Sequence, residues 1–223
     1  MIFPKITELF DLEHTTVPSV FDGCEYPWEV LPKLRDFIIE LSENLGDEFY
    51  SPCEGVYISK SAKVAESTSI SGPCIIFEGA EIRHCAYIRG SVIVGRNAVV
   101  GNSTELKNCL LFDNVQVPHY NYVGDSILGY RSHLGAGAVT SNVKSDKSEV
   151  TVLFDGQRLK TGLRKFGAIL GDFVEVGCGT VLNPGCVIGR DTNVYPQSSV
   201  RGFIPSHSIY KDAERIVNKE ARN

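Results

Sequence analysis

The chain has little of what marks several protein classes. Its 223 residues include one Met and one Trp, and its seven cysteines contain no CxxC pair. An odd set of thiols without close spacing argues against a disulfide framework or a thiolate zinc site, and fits reduced cysteines. Basic residues (22) are outnumbered by acidic ones (27), and the net charge of −5 gives no whole-molecule field for nucleic acid or an anionic membrane. Any anionic ligand must therefore meet a local basic patch. No apolar run approaches the roughly 20 residues of a membrane helix. The opening stretch carries Glu8, Asp11 and Glu13 where a secretory signal would be apolar. The expectation is a cytoplasmic protein that binds neither nucleic acid nor membrane. Its 43% hydrophobic content suffices for a core, with room for one domain and an appendage.

What the sequence does have is a period of six. Steps of six from Ile58 reach Val64, Ile70, Ile76, Ile82, Ile88, Val94, Val100 and Leu106. With roughly a quarter of residues being Val, Ile or Leu, nine in succession arise by chance on the order of a few times per million in a given register. Four places after the first eight stand Ala62, Thr68, Cys74, Ala80, Ala86, Val92, Ala98 and Thr104. The spacing then contracts through Leu111, Val117, Val123, Leu128, Leu134 and Thr140, and returns to six at Leu170, Val176, Leu182, Ile188, Val194 and Val200. A period of six is neither helical nor simple alternation. It fits short strands, each followed by a corner, so that every side of a prism turns one large and one small side chain inward.

This pattern resembles the hexapeptide-repeat proteins, over residues 58–141 and 170–205. The resemblance implies an all-β fold, a left-handed parallel β-helix; the hand comes from the family, since ordinary parallel crossovers are right-handed. Residues 1–57 do not repeat, and Trp28 to Asn44 carries Val30, Leu34, Phe37, Ile38 and Leu41 at helical spacing. They are expected to form an N-terminal helical cap over the open end of the solenoid. The β-helix then spans 58–210. A hairpin insertion at 143–169 turns at Asp155 and Gly156, and the polar stretch 211–223 is expected to be a short C-terminal helix. The second half of the insertion holds Arg158, Lys160, Arg164 and Lys165, which reads equally as a solvated hairpin or as a cationic flap for phosphate.

Coil geometry turns sequence separations into neighbours about 4.8 Å apart. Arg89 and Lys107 each follow a hexad aliphatic residue and are expected to stack, so a bound anion would relieve their repulsion unless nearby Glu residues do. Glu105 should stack beneath Tyr122, where its carboxylate could orient His119 as a general base. His119, Asn121, Tyr122, Asp125, His133 and Asn142 cluster in one irregular stretch.

The ordered runs YIRG (87–90), ELKN (105–108), PHYNYVGDS (118–126) and LGAGAVTSN (134–142) are similar to the acetyltransferase domain of the bifunctional glucosamine-1-phosphate acetyltransferase and UDP-N-acetylglucosamine pyrophosphorylase family. The insertion with DGQRLKTGLRKFGAILGD is more similar to the archaeal members, sugar-1-phosphate nucleotidylyltransferases that also acetylate amino-sugar phosphates. The resemblance implies acetyl transfer from acetyl-CoA, without a metal, to the amine of a hexosamine 1-phosphate in nucleotide-sugar biosynthesis. His119 would be the base and Glu105 its orienter. Arg89 and Lys107 would bind the phosphate, Tyr122, His133 and Asn142 the sugar, and Ala136, Cys178 and Arg201 acetyl-CoA. It also implies a homotrimer with the cofactor between neighbouring prisms. His133, Val143 and Cys178 depart from the bacterial pattern, where Asn, Tyr and Ser stand, and leave the acceptor sugar open.

Residues 1–57 hold only Gly23, Gly46 and Gly55, so no glycine-rich phosphate loop and no nucleotidyl transfer are expected of this stretch. Two rival functions remain. A zinc-dependent lyase on this fold would need three imidazoles, and His14, His84, His119, His133 and His207 include no close-spaced pair. A non-catalytic binding or assembly module, or a subunit serving a separate nucleotidylyltransferase, is the other.

Overall fold

The computed structural model describes residues 3–220. It is a parallel stacked-coil β-solenoid with three sides, each a ladder of short strands. The first side runs through Val56–Ser59, Cys74–Ile76, Val92–Val94, the second halves of Glu105–Leu111 and Tyr122–Leu128, Ala168–Leu170, Cys186–Ile188 and Phe203–Ile204. The second climbs from Lys63–Val64 to Ser208–Asp212, and the third from Ser69–Ile70 to Ser199–Val200. The inward residues are the hexad positions: Ile76, Ile82, Ile88, Val100, Leu106, Val123, Leu134, Leu182 and Val200 are all buried. The contracted register holds in the structure, with Leu106 opposite Val123 and Leu111 opposite Leu128.

The steps of five fall at the corner between the third and first sides. There Asn108 and Asp125 bend two seven-residue strands through left-handed backbone, at φ 46° and 48°. Asn and Asp tolerate that conformation better than most residues. The insertion leaves the prism at this corner too, after Asn142, and re-enters at Ala168. Irregularity is thus gathered on one edge.

The expected N-terminal cap lies elsewhere. Residues 3–45 run along the outer surface of the first side, with the helix Leu34–Ser42 against its lower strands. The reason is in the outward row of that side: Ile75, Ile93, Leu110, Ile127, Ile169 and Val187 are apolar and fully buried, which requires a cover. Trp28, Phe10, Val30, Leu34 and Ile38 supply it. Asp172 pins the segment, accepting the Asp11 N–H at 2.7 Å and the Tyr130 N–H at 2.9 Å, while its own N–H donates to Leu9 O. End protection comes instead from Phe49–Tyr50, which pairs antiparallel with Val56–Ser59.

The C-terminal segment is a second departure. Ser208–Asp212 and Arg215–Asn218 form an antiparallel hairpin, not a helix, and Tyr210 continues the second side opposite Val194. Pairing at the sheet edge outweighs the helical composition of a short polar stretch. Residues 221–223 of that expected helix lie outside the described residues. The insertion forms a hairpin, Thr151–Phe154 with Gln157–Lys160, turned by Asp155 and Gly156 at positive φ. It backs onto Gly185 and Gly202, where a Cβ would meet Thr151 O at 2.7 Å and Leu153 O at 2.8 Å.

Candidate active site

The third side is bare, and two corners flank it. At the corner with the first side, Arg89 Nη1 donates to Glu105 Oε1 at 2.7 Å and its guanidinium lies 5.8 Å from the Tyr87 ring centre. Glu105 sits opposite Tyr122, as the coil register requires, and its carboxylate is engaged by Arg89. One cation of the expected stacked pair is therefore neutralised and Lys107 is left. Its ammonium has Lys165 and Arg89 as cationic neighbours and Asp125 as its anionic one. Burial, and then those two cations against the pull of Asp125, hold Lys107 below the usual lysine range.

Asp125 is the centre of this corner. Nearly all its surface is buried, and it accepts hydrogen bonds from Asn108 Nδ2 at 2.9 Å and from Asn142 Nδ2. Asn142 Nδ2 also lies 3.2 Å from the Tyr122 hydroxyl. Burial, together with the Asp125 and Glu105 carboxylates, raises the Tyr122 phenol above its ordinary value. Arg89, Glu105, Lys107, Tyr122 and Asn142 are thus gathered in one place, with Asp125, Asn108 and Lys165 added. In the sequence Asp125 belongs to the irregular cluster without a distinct role, and Lys165 to the four-cation stretch of the insertion. The shortened steps at Leu106–Leu111 and Val123–Leu128 were the signal for this corner. Of the flap's cations, Lys165 reaches Lys107, whereas Arg158 and Lys160 lie exposed on the hairpin.

The corner between the second and third sides carries a different column. His119, Ala136 and Cys178 occupy successive rungs, linked by Gly137 N–H to His119 O at 3.0 Å and Gly179 N–H to Ala136 O at 2.9 Å. Asn121 braces it from within, its Oδ1 accepting the His119 N–H and its Nδ2 reaching Gly135 O and Ala138 O. His119 is exposed, and among the described residues no side chain hydrogen-bonds its imidazole. The other four histidines each meet a partner: Asp11 for His14, Ser67 and Cys85 for His84, Glu175 for His133 and Asp191 for His207.

Two residues stand apart. His133 Nδ1 lies 2.8 Å from Glu175 Oε2 on the second side, around a corner from Tyr122 and Asn142. Arg201 follows Val200 on the third-side edge that carries Lys107, four rungs higher and so about 19 Å away at the ladder spacing. Among the described residues no group of three or more His, Cys, Asp or Glu side chains is placed to hold a metal ion.

Comparison with known proteins gives the same frame. The chain is 31% identical to the bifunctional protein GlmU of Methanococcus maripaludis over 97% of its length, and that alignment covers 53% of the relative. It is 33% identical to the bifunctional sugar-1-phosphate nucleotidylyltransferase/acetyltransferase of Sulfurisphaera tokodaii over 70% of this chain and 43% of that one. With GlmU of Trichormus variabilis the identity is 36% over 71% of this chain and 31% of the relative. The chain spans about half the length, or less, of these curated relatives. A family model, described as the GMPPB C-terminal domain, matches residues 70–217. That span takes in both corners of the bare side and most of the solenoid, and the chain belongs to this family.

Proposed function

We propose that the chain transfers an acetyl group from acetyl-CoA to the amine of a hexosamine 1-phosphate, glucosamine 1-phosphate or an epimer, in nucleotide-sugar biosynthesis. The observation that carries this reading is the Lys107–Lys165 pair in an acidic chain, stacked one rung above an Arg89 that Glu105 already engages, with Asp125 as the anionic neighbour of Lys107. A phosphate is the ligand that relieves them. The name of the Sulfurisphaera tokodaii relative, which combines sugar-1-phosphate and acetyltransferase, supports the same chemistry.

In this reading the phosphate binds Lys107, Lys165 and Arg89, and competes with Glu105 for Arg89. The freed Glu105 carboxylate turns toward His119, three residues before its register partner Tyr122, and holds the imidazole. Tyr122 and Asn142 orient the sugar. The amine nitrogen attacks the thioester carbon as His119 takes its proton; the C–S bond then breaks, and the proton leaves on the CoA thiol. Acetyl-CoA lies along the column of Ala136 and Cys178. His133 and Arg201 are remote from Lys107 in one chain, and enter through a homotrimer in which a neighbouring prism brings them to the sugar and cofactor. The working compartment is the cytoplasm.

A binding or assembly role without turnover has one observation in its favour, the engagement of Glu105 by Arg89 in place of His119. The two readings separate on His119→Ala. Acetyl transfer predicts a loss of turnover of about 100-fold or more with the acceptor's affinity retained. Unchanged turnover, or no turnover in the parent protein, overturns it.

A further inference from the structure

Two rungs below His119, on the same corner, three side chains form a constellation that acetyl transfer leaves unused. Cys85 is exposed and held at a left-handed φ of 55°, with its Sγ 3.3 Å from His84 Nε2. His84 Nδ1 lies 2.9 Å from Ser67 Oγ, and the same Oγ accepts the Cys85 N–H at 3.0 Å. A thiol, an imidazole within reach of it and a hydroxyl that fixes the ring are the parts of an activated nucleophile. With Nδ1–H donated to Ser67, Nε2 is the nitrogen that receives the thiol proton.

The other cysteines lack this arrangement. Burial pushes the Cys74, Cys109 and Cys186 thiols far up, and half-buried Cys24 meets Lys33 Nζ instead, at 3.2 Å. Cys53 and Cys178 are exposed, and no imidazole stands beside their sulfurs among the described residues. His84 also borders an open groove on the second side, floored by Val64 and Ile82 and edged by Lys63, Glu81 and Arg83. On that rim Arg83 Nε donates to Glu81 Oε1 at 2.8 Å, with Lys63 beside the pair, so a small zwitterionic molecule would bind by exchanging its carboxylate and ammonium groups for that contact.

We propose that Cys85 is a thiol–disulfide exchange site for a small disulfide bearing carboxylate and ammonium groups, with His84 as proton carrier and Ser67 as the residue that positions it. The Cys85 sulfur, its proton passed to His84, attacks one sulfur of R–S–S–R. The S–S bond breaks and Cys85–S–S–R forms. The leaving sulfur takes the electron pair of the broken bond and the proton from His84, and departs as R–SH. The Cys85 sulfur is oxidised, the leaving sulfur is reduced, and no other oxidant enters. Attack at sulfur needs no oxyanion donor. That favours a disulfide over a carbonyl substrate, because the Cys85 N–H is already committed to Ser67.

The test treats the full chain with oxidised glutathione and follows adducts by intact mass and peptide mapping, which needs no acetyl acceptor and is independent of the function proposed above. The adduct is expected on Cys85 first, at least about tenfold faster than on Cys53 or Cys178, with His84→Gln slowing it by about tenfold. Circular dichroism of His84→Gln checks that the corner still folds. Equal rates at the three exposed cysteines, or an unchanged rate in folded His84→Gln, overturn the proposal.

Discussion

On the first side of the prism the outward row reads Ile75, Ile93, Leu110, Ile127, Ile169 and Val187, all without exposure; on the third side Tyr87, Arg89, Glu105, Lys107 and Tyr122 point out and remain partly accessible. The inward rows behind both are the same aliphatic ladder. Hexad periodicity therefore accounts for the coil and is silent on what covers it. The outward residues decide that: an apolar row recruits residues 3–45 of the same chain, and a charged row stays open for a ligand.

The comparison breaks most visibly if the covering segment is loosened. Trp28 is 1% exposed and packs against Phe3, Tyr26 and Phe166. Trp28→Ala is expected to cost about 3–5 kcal/mol in urea denaturation, and a loss below about 1 kcal/mol would mean that the cover is dispensable. On the open side the equivalent deletion acts on binding. Lys107→Ala should raise the acceptor's KM by roughly 10- to 100-fold, the scale of a lost charge-assisted contact, and leave that of acetyl-CoA near the parent value. Equal effects on the two would argue against a phosphate clamp.

A pH series sharpens the same point with a smaller effect. The Lys107 pKa is lowered in the folded chain, chiefly by burial, so its charge is present below that lowered value and lost as pH rises through it. The acceptor's KM should therefore begin to climb at a pH below the ordinary lysine range, and Lys107→Ala should remove that step. Smallest of all is Arg96→Ala, which breaks the exposed Arg96–Glu78 pair at the corner between the first and second sides. Its cost should stay within about 0.5 kcal/mol by thermal melting.

Much of this was legible in the sequence. The hexads placed Leu106 against Val123 through the contraction, and with them Glu105 against Tyr122. The path of residues 3–45 was not, because the hexad period marks only inward positions, whereas the cover is called for by Ile75, Ile93 and Leu110, one place from them. The C-terminal hairpin was hidden by a helical composition that edge pairing of Tyr210 with Ile216 overrode. At the site, the pairing of Arg89 with Glu105 could be read only as an alternative. Lys165 reaches Lys107 across the 25 residues 143–167 that leave the repeat, a separation that no register predicts.

The most direct test is thiol release from acetyl-CoA with three acceptors: an amino-sugar 1-phosphate, the same sugar without its amine, and the same amino sugar without its phosphate. Turnover with the first, none with the second and a KM raised by at least about tenfold with the third is the predicted result. No turnover with any amino sugar, or equal turnover with and without the phosphate, would contradict it.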